Sequence, residues 1–176
     1  LNQAESQLVV VDDSSILHPI PSVPIAESWG ANSSNVITLP PDTIAGFQLG
    51  QLASSIVSDS TSTYALINGE LRNTDSINSD LLLPVPMNFT DGTIASIPQG
   101  TPLQPFSRSG NNYFRFINGI AYVTTDSQIA KLWGIPSGAE DYRQLIATYY
   151  PQQAMLTPVL RTGNTYYVVD QNKLIA

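Results

Sequence analysis

A chain of 176 residues is long enough to bury a core, and 14 acids against 7 Lys and Arg leave it with a net charge of −7. That balance excludes a nucleic-acid partner, and equally an anionic membrane surface, because both need clustered cations. With no cysteine, disulfides and thiolate metal sites are excluded, and charged residues reach only 12%, about half the roughly 25% usual in soluble domains.

The polar, weakly charged surface this leaves is common in secreted and cell-surface proteins. The first expected element is a hairpin in "LVVVDDSSIL", with Asp12 and Asp13 in its turn. Aspartate suits such turns for backbone reasons, and this pair lacks the alternating ligand spacing of a calcium loop. His18, before Pro19, is the only histidine. No G-x-S-x-G accompanies it, so it reads as structural rather than as a catalytic base. "IAESWG" then predicts a short helix that Gly30 ends, with Trp29 one residue earlier. A loop, "GANSSNVITLPPD", leads to a second short helix in "PPDTIAGFQL".

"TYALINGELRNT" reads as two strands joined at Asn68-Gly69, a pair that tolerates the positive φ angles of a type I′ turn. In the next stretch, "SINSDLLLPVP", the helix signal weakens and Pro84 stands in for the glycine stop. "FTDGTIASI" supplies another brief helix, and "IPQGTPLQP" a Pro-rich exit. The same order follows again. "RSGNNYFRFINGIAYVTT" forms a hairpin about Asn118-Gly119, and Asp126 or Ser127 caps a helix in "IAKLWG" that closes on Trp133-Gly134. The second helix falls in "GAEDYRQLIATYY", with Glu140 and Asp141 expected in its first turn and Tyr142, Leu145, Ile146 and Tyr149 at helical spacing. "YPQQAMLTP" is the exit, and "RTGNTYYVVDQNKLIA" a last hairpin without helices of its own.

The recurrences have a period. Arg108 and Arg161 open matching hairpins 53 residues apart, the "ING" of Ile67 to Gly69 returns 50 residues on, and "IAESWG" returns as "IAKLWG" after 104. The expected fold is therefore α+β: tandem repeats of about 50 residues, each a β-hairpin followed by short helices. The units are residues 1–62, 63–110 and 111–163, with a terminal hairpin at 164–176, in one repeat domain. Asn68, Gly69, Asn118, Gly119, Trp29, Gly30, Trp133 and Gly134 are its framework positions. Lone hairpins are marginal in water, so the units must bury their faces on helices and on one another.

No residue set announces chemistry. Neither lysine follows a glycine-rich phosphate loop, and no pair of carboxylates stands out as a glycosidase couple. No catalytic, cofactor or metal residue is assigned. Aromatics could stack on sugars, but Tyr64, Phe114, Tyr167, Trp29 and Trp133 recur at matching positions, which favours packing. The "NSS" at Asn32 and "NFT" at Asn88 match the glycosylation acceptor triplet, which a Ser-rich chain also produces by chance. No apolar run reaches the ~20 residues of a membrane span.

The stretch from Tyr113 to Leu160 resembles the repeat of EccB, the membrane-anchored component of actinobacterial type VII (ESX) secretion systems. Tyr113 and Phe114, Gly119, Tyr122, Ala130, Trp133-Gly134, Leu145-Ile146, Pro151 and Leu156 follow that repeat's order. Pro98, Gly100, Pro102 and Leu103 match its exit motif. The resemblance extends over nearly the whole chain, though the family's transmembrane helix and cysteines are not in this sequence. It implies a non-catalytic, extracytoplasmic scaffold, a fragment of a membrane-anchored protein. Its partners would be other secretion-complex subunits or further copies of itself. The family's ATPase label finds no phosphate loop here. The competing expectation is a cell-wall or glycan-binding module, as in surface proteins and phage lysins; an enzyme would instead show a deep pocket with convergent polar groups.

Overall fold

The structure, a computed structural model, describes residues 8–32, 34, 36–38, 40–171 and 173–175. In chain order its elements are β1 (Val9–Val11), β2 (Ile16–Pro19), α1 (Val23–Ser28), α2 (Pro41–Ile44), β3 (Gln48–Leu49), β4 (Ile56–Ser58), β5 (Thr63–Ile67), β6 (Glu70–Asn73), α3 (Asn78–Leu81) and β7 (Met87–Asn88). There follow α4 (Asp91–Ala95), β8 (Phe106–Ser109), β9 (Asn112–Ile117), β10 (Ile120–Thr124), α5 (Ser127–Leu132), α6 (Arg143–Tyr149), β11 (Gln153–Met155), β12 (Val159–Thr162), β13 (Thr165–Asp170) and β14 (Lys173–Ile175). This is a mixed α+β architecture of short strands and short helices. The chain forms two compact units, one of Leu1–Ser76 with Pro84–Leu103, the other of Ile77–Leu83 with Gln104–Ala176. Residues 1–7, 172 and 176, which fall within the expected first unit and terminal hairpin, lie outside the described residues, as does Ser33 of the "NSS" triplet.

In the first unit β1 and β2 pair antiparallel, and β3 returns parallel to β2 with Ile16 opposite Gln48. A second sheet runs β6-β5-β4-β7, antiparallel except where β7 joins β4. Leu71 on β6 makes an isolated parallel bridge to Gln99. Apolar alternation builds its core, in which Val57, Leu66, Leu71, Met87, Phe89 and Ile94 are buried and Trp29 and Tyr64 pack against them.

The second unit holds the sheet β11-β10-β9-β8 and the sheet β12-β13-β14. Here too the strand after the hairpin turn, β10, takes a parallel partner, with Ala121 opposite Gln153. Tyr113, Ala130, Trp133, Ile135, Leu156 and Val169 form the buried cluster.

Local chemistry explains most boundaries. Asp12 Oδ1 accepts from the N–H groups of Ser14 and Ile16, both at 2.9 Å, which closes the first turn. Asn68 and Gly69 lie at φ 53° and 80°, Asn118 and Gly119 at 48° and 75°, the doubly left-handed geometry of a two-residue hairpin turn. Asp126 caps α5 by accepting from Gln128 N at 2.7 Å and Ile129 N at 3.3 Å. Gly30 and Gly134 end α1 and α5 at φ 73° and 69°.

Two expectations are corrected. The stop of α3 is not Pro84 but Leu82, which takes the left-handed conformation itself at φ 47°. Helix α6 starts at Arg143, so Glu140 and Asp141 precede it instead of filling its first turn. The reason is tertiary. Glu140 O accepts from Arg108 N at 3.0 Å and from Ser107 Oγ at 2.9 Å, an edge contact with β8 that a helical Glu140 could not make.

Candidate functional site

The framework residues meet in two kinds of joint. In the first, a tryptophan at a helix end reaches a carbonyl on the chain just ahead of a later strand, β4 or β12. Trp29 Nε1 donates to Ser54 O at 3.0 Å, and Trp133 Nε1 donates to Thr157 O at 2.9 Å. The indole fills apolar space while its one polar group is satisfied, so burial carries no unpaired donor. Trp29 also meets Phe89 edge-on, with ring centroids 5.7 Å apart.

In the second joint, an Asn-Gly turn closes on a helix end. Gly69 N donates to Ser28 O at 2.8 Å in the first unit, and Gly119 N donates to Asp80 O at 2.8 Å in the second. The last carbonyls of a helix lack intrahelical partners, and the turn supplies one. The approach at the first joint is backbone on backbone. A Cβ built on Gly30 would stand 3.0 Å from Gly69 Cα and 3.2 Å from Gly69 N. At the second joint Leu82 occupies the place that Gly30 has in the first, and a Cβ on Gly119 would stand 2.8 Å from Leu82 Cδ1. Tyr150 completes this second joint by donating its hydroxyl to Leu81 O at 2.5 Å, and burial pushes the phenol above the ordinary tyrosine range.

His18 is buried and structural in its surroundings. Its Nδ1 lies 3.1 Å from Gln51 O, its Nε2 lies 3.3 Å from Asp12 Oδ2, and its ring meets Phe89 edge-on at 5.3 Å. Burial pushes the Asp12 carboxyl up, but the Ile16 N–H, the His18 ring and the Ser14 N–H outweigh it, so the group sits below its ordinary range. Asp13 faces elsewhere. Its two oxygens accept from Thr90 Oγ1 at 2.6 Å and Thr93 Oγ1 at 2.7 Å, and those hydroxyls hold it below the usual carboxylate range. Thr90 in turn caps α4 by accepting from Thr93 N at 3.1 Å. The first hairpin turn is thereby tied to a helix start some eighty residues later. Sequence reasoning missed this tie; the only signal was the Thr-x-x-Thr spacing ahead of an apolar pair.

Among the described residues no group of three or more His, Asp or Glu is placed to hold a metal ion. Two open depressions of about 400 and 450 Å³ lie in the second unit. Gln128, Lys131, Leu132, Asp170 and Gln171 line the first. Tyr149, Tyr150 and Gln153 are among those lining the second. Of the recurring aromatics, Phe114 and Trp133 are buried, and Trp29, Tyr64 and Tyr167 are half-buried. What the joints can do chemically is mechanical. They fix where a helix ends and where the hairpin beyond it must lie.

No family model and no curated protein matches the chain. Among solved structures there is a weak match to a chain in the structure of the periplasmic assembly from the ESX-5 inner membrane complex, at 11% identity and a TM-score of 0.27. It covers 87% of this chain and 64% of that one, so the chain spans less than two thirds of the length of that structure's chain.

Proposed function

We propose that this chain is a scaffold: tandem hairpin-and-helix modules of about 50 residues that act through protein contacts in the extracytoplasmic part of a type VII secretion complex. The observation that carries the modular reading is the recurrence of one interlock, in which Ser28 O receives Gly69 N and Asp80 O receives Gly119 N. A bond set that returns with the same geometry implies equivalent modules, each closed by the turn of the module that follows. The return strand supports the same division. Gly50 N donates to Leu17 O, Gly100 N to Leu71 O and Leu156 N to Val123 O, each time bringing the chain back beside the strand after the turn.

The secretion-complex assignment rests on the motif order from Tyr113 to Leu156. Partner choice falls to segments that differ between modules, such as 30–42 and 82–92. Trp29 and Tyr64 pack against the first buried cluster and Trp133 belongs to the second, which favours the scaffold over the wall-binding module. The test is paired. Tagged chain expressed with the membrane components of a type VII system should co-purify with them, and should not sediment with purified wall glycan. Retention on glycan without co-purification would reverse the assignment.

A further inference from the structure

Asn68-Gly69 and Asn118-Gly119 are the only Asn-Gly pairs in the sequence, and each forms the turn of a joint. An Asn-Gly pair is intrinsically self-reactive, because glycine has no side chain to shield its backbone nitrogen from the asparagine amide before it. Both asparagines are exposed, so water reaches their amides, whereas both glycines are half-buried. The reaction needs the glycine nitrogen as a nucleophile, stripped of its proton.

In the folded chain that proton is engaged. Gly69 N donates it to Ser28 O and Gly119 N donates it to Asp80 O, each at 2.8 Å. The cross-strand pairs Ile67 with Glu70 and Ile117 with Ile120 close the turns. They hold the main chain against the rotation that would bring the nitrogen onto the side-chain carbonyl carbon. Each joint has a brace of its own. Trp29, which donates to Ser54 O at 3.0 Å, stands between Ser28 and Gly30 at the first. Tyr150, which donates to Leu81 O at 2.5 Å, braces the second.

We propose that Asn68 and Asn118 are self-modification sites gated by these joints: each converts to isoaspartate when its joint opens, and the product keeps the joint from closing again. The glycine nitrogen bonds to the Asn Cγ, and the side-chain nitrogen leaves as ammonia, taking up the proton that the glycine gives. Water then opens the imide ring. Cleavage at the side-chain carbonyl yields aspartate, and cleavage at the main-chain carbonyl yields isoaspartate, which routes the backbone through an additional methylene. A turn lengthened in this way no longer matches the register of the strands beside it or delivers its N–H to the helix end. This holds whatever the chain binds.

Peptide mapping by mass spectrometry on the full chain at neutral pH, beside synthetic peptides of residues 63–73 and 113–124, is the test. Both sites should convert at least about tenfold more slowly in the folded chain, as for joints open less than about a tenth of the time. Tyr150→Phe deletes the bond to Leu81 O and should speed conversion at Asn118 by about two- to tenfold, leaving Asn68 unchanged. Trp29→Phe deletes the bond to Ser54 O and should do the converse. Circular dichroism checks that each variant is folded. In hydrogen exchange, chains converted at Asn118 should lose protection of the Gly119 amide, whereas Asn118→Asp, which adds the same charge without the methylene, should keep it. Conversion at the peptide rate in the folded chain overturns the proposal, as does no conversion in the parent chain and both variants. Acceleration of both sites by either variant also overturns it, since global unfolding and not the joint would then admit the reaction. So does a Gly119 amide that stays protected after isoaspartate has formed.

Discussion

At Gly30 and Gly119 the same substitution meets different neighbours. Both residues have positive φ, so alanine is strained at either by roughly 1–2 kcal/mol. At Gly30 the new methyl would also stand 3.0 Å from Gly69 Cα, while at Gly119 it would stand 2.8 Å from Leu82 Cδ1, which can swing aside, and 3.0 Å from Leu82 Cβ, which is fixed to the backbone. Gly30→Ala and Gly119→Ala should therefore each lower unfolding stability by at least this conformational strain in urea titrations; a loss well below about 1 kcal/mol at either would mean that joint is looser than its distances. Leu82 presents the converse case, because an exposed leucine held at φ 47° carries strain that glycine relieves. Leu82→Gly is expected to gain up to about 1 kcal/mol, read from the shift in the urea midpoint. Acid sensitivity also belongs to single residues. Asp13 is depressed by the Thr90 and Thr93 hydroxyls, and Asp59 by the N–H groups of Thr61 and Ser62. A carboxyl lowered in the fold contributes stability that is complete above its unfolded value, about 3.9, and is lost as pH falls through the lower folded value. Stability should thus decline below about pH 4, and Asp13→Asn should flatten that decline in acid titrations followed by circular dichroism.

At the scale of elements, each tryptophan combines apolar contact with one hydrogen bond, and two substitutions at Trp133 separate them. Trp133→Phe keeps a ring but deletes the bond to Thr157 O, a loss of about 1 kcal/mol. Trp133→Ala empties the site and should cost about 3–5 kcal/mol. Similar losses for the two would show that the bond, not the packing, holds α5 to the chain beyond it. The start of α6 is decided by a neighbour. The cluster of Glu140 and Asp141 carries the composition of a helix first turn, and the dipole would favour it there, by up to about 1 kcal/mol for an exposed acid. The two bonds that β8 makes to Glu140 O, about 0.5–1.5 kcal/mol each, hold it ahead of the helix. In contrast, the start of α5 is local, because Asp126 and the two N–H groups it receives lie within three residues.

For the whole molecule, the chain forms two compact units in which one interlock recurs, Ser28 O with Gly69 N in the first and Asp80 O with Gly119 N in the second. The strand and helix segments were legible because hairpin turns and helix caps are encoded within four or five residues. The contact network was not, since Asp13 with Thr90, Ser107 with Tyr142 and Tyr150 with Leu81 join residues tens of positions apart.

By itself the sequence determined the Asn-Gly turns, the Asp126 cap and the left-handed ends at Gly30 and Gly134, because each follows from the steric freedom or hydrogen-bonding reach of residues adjacent in the chain. Tertiary structure alone decided that Leu82 would turn left-handed without a glycine and that α6 would wait until Arg143. Those outcomes depend on which distant backbone groups compete for the same space and the same hydrogen bonds, and no local preference of about 1 kcal/mol withstands two or three such contacts acting together.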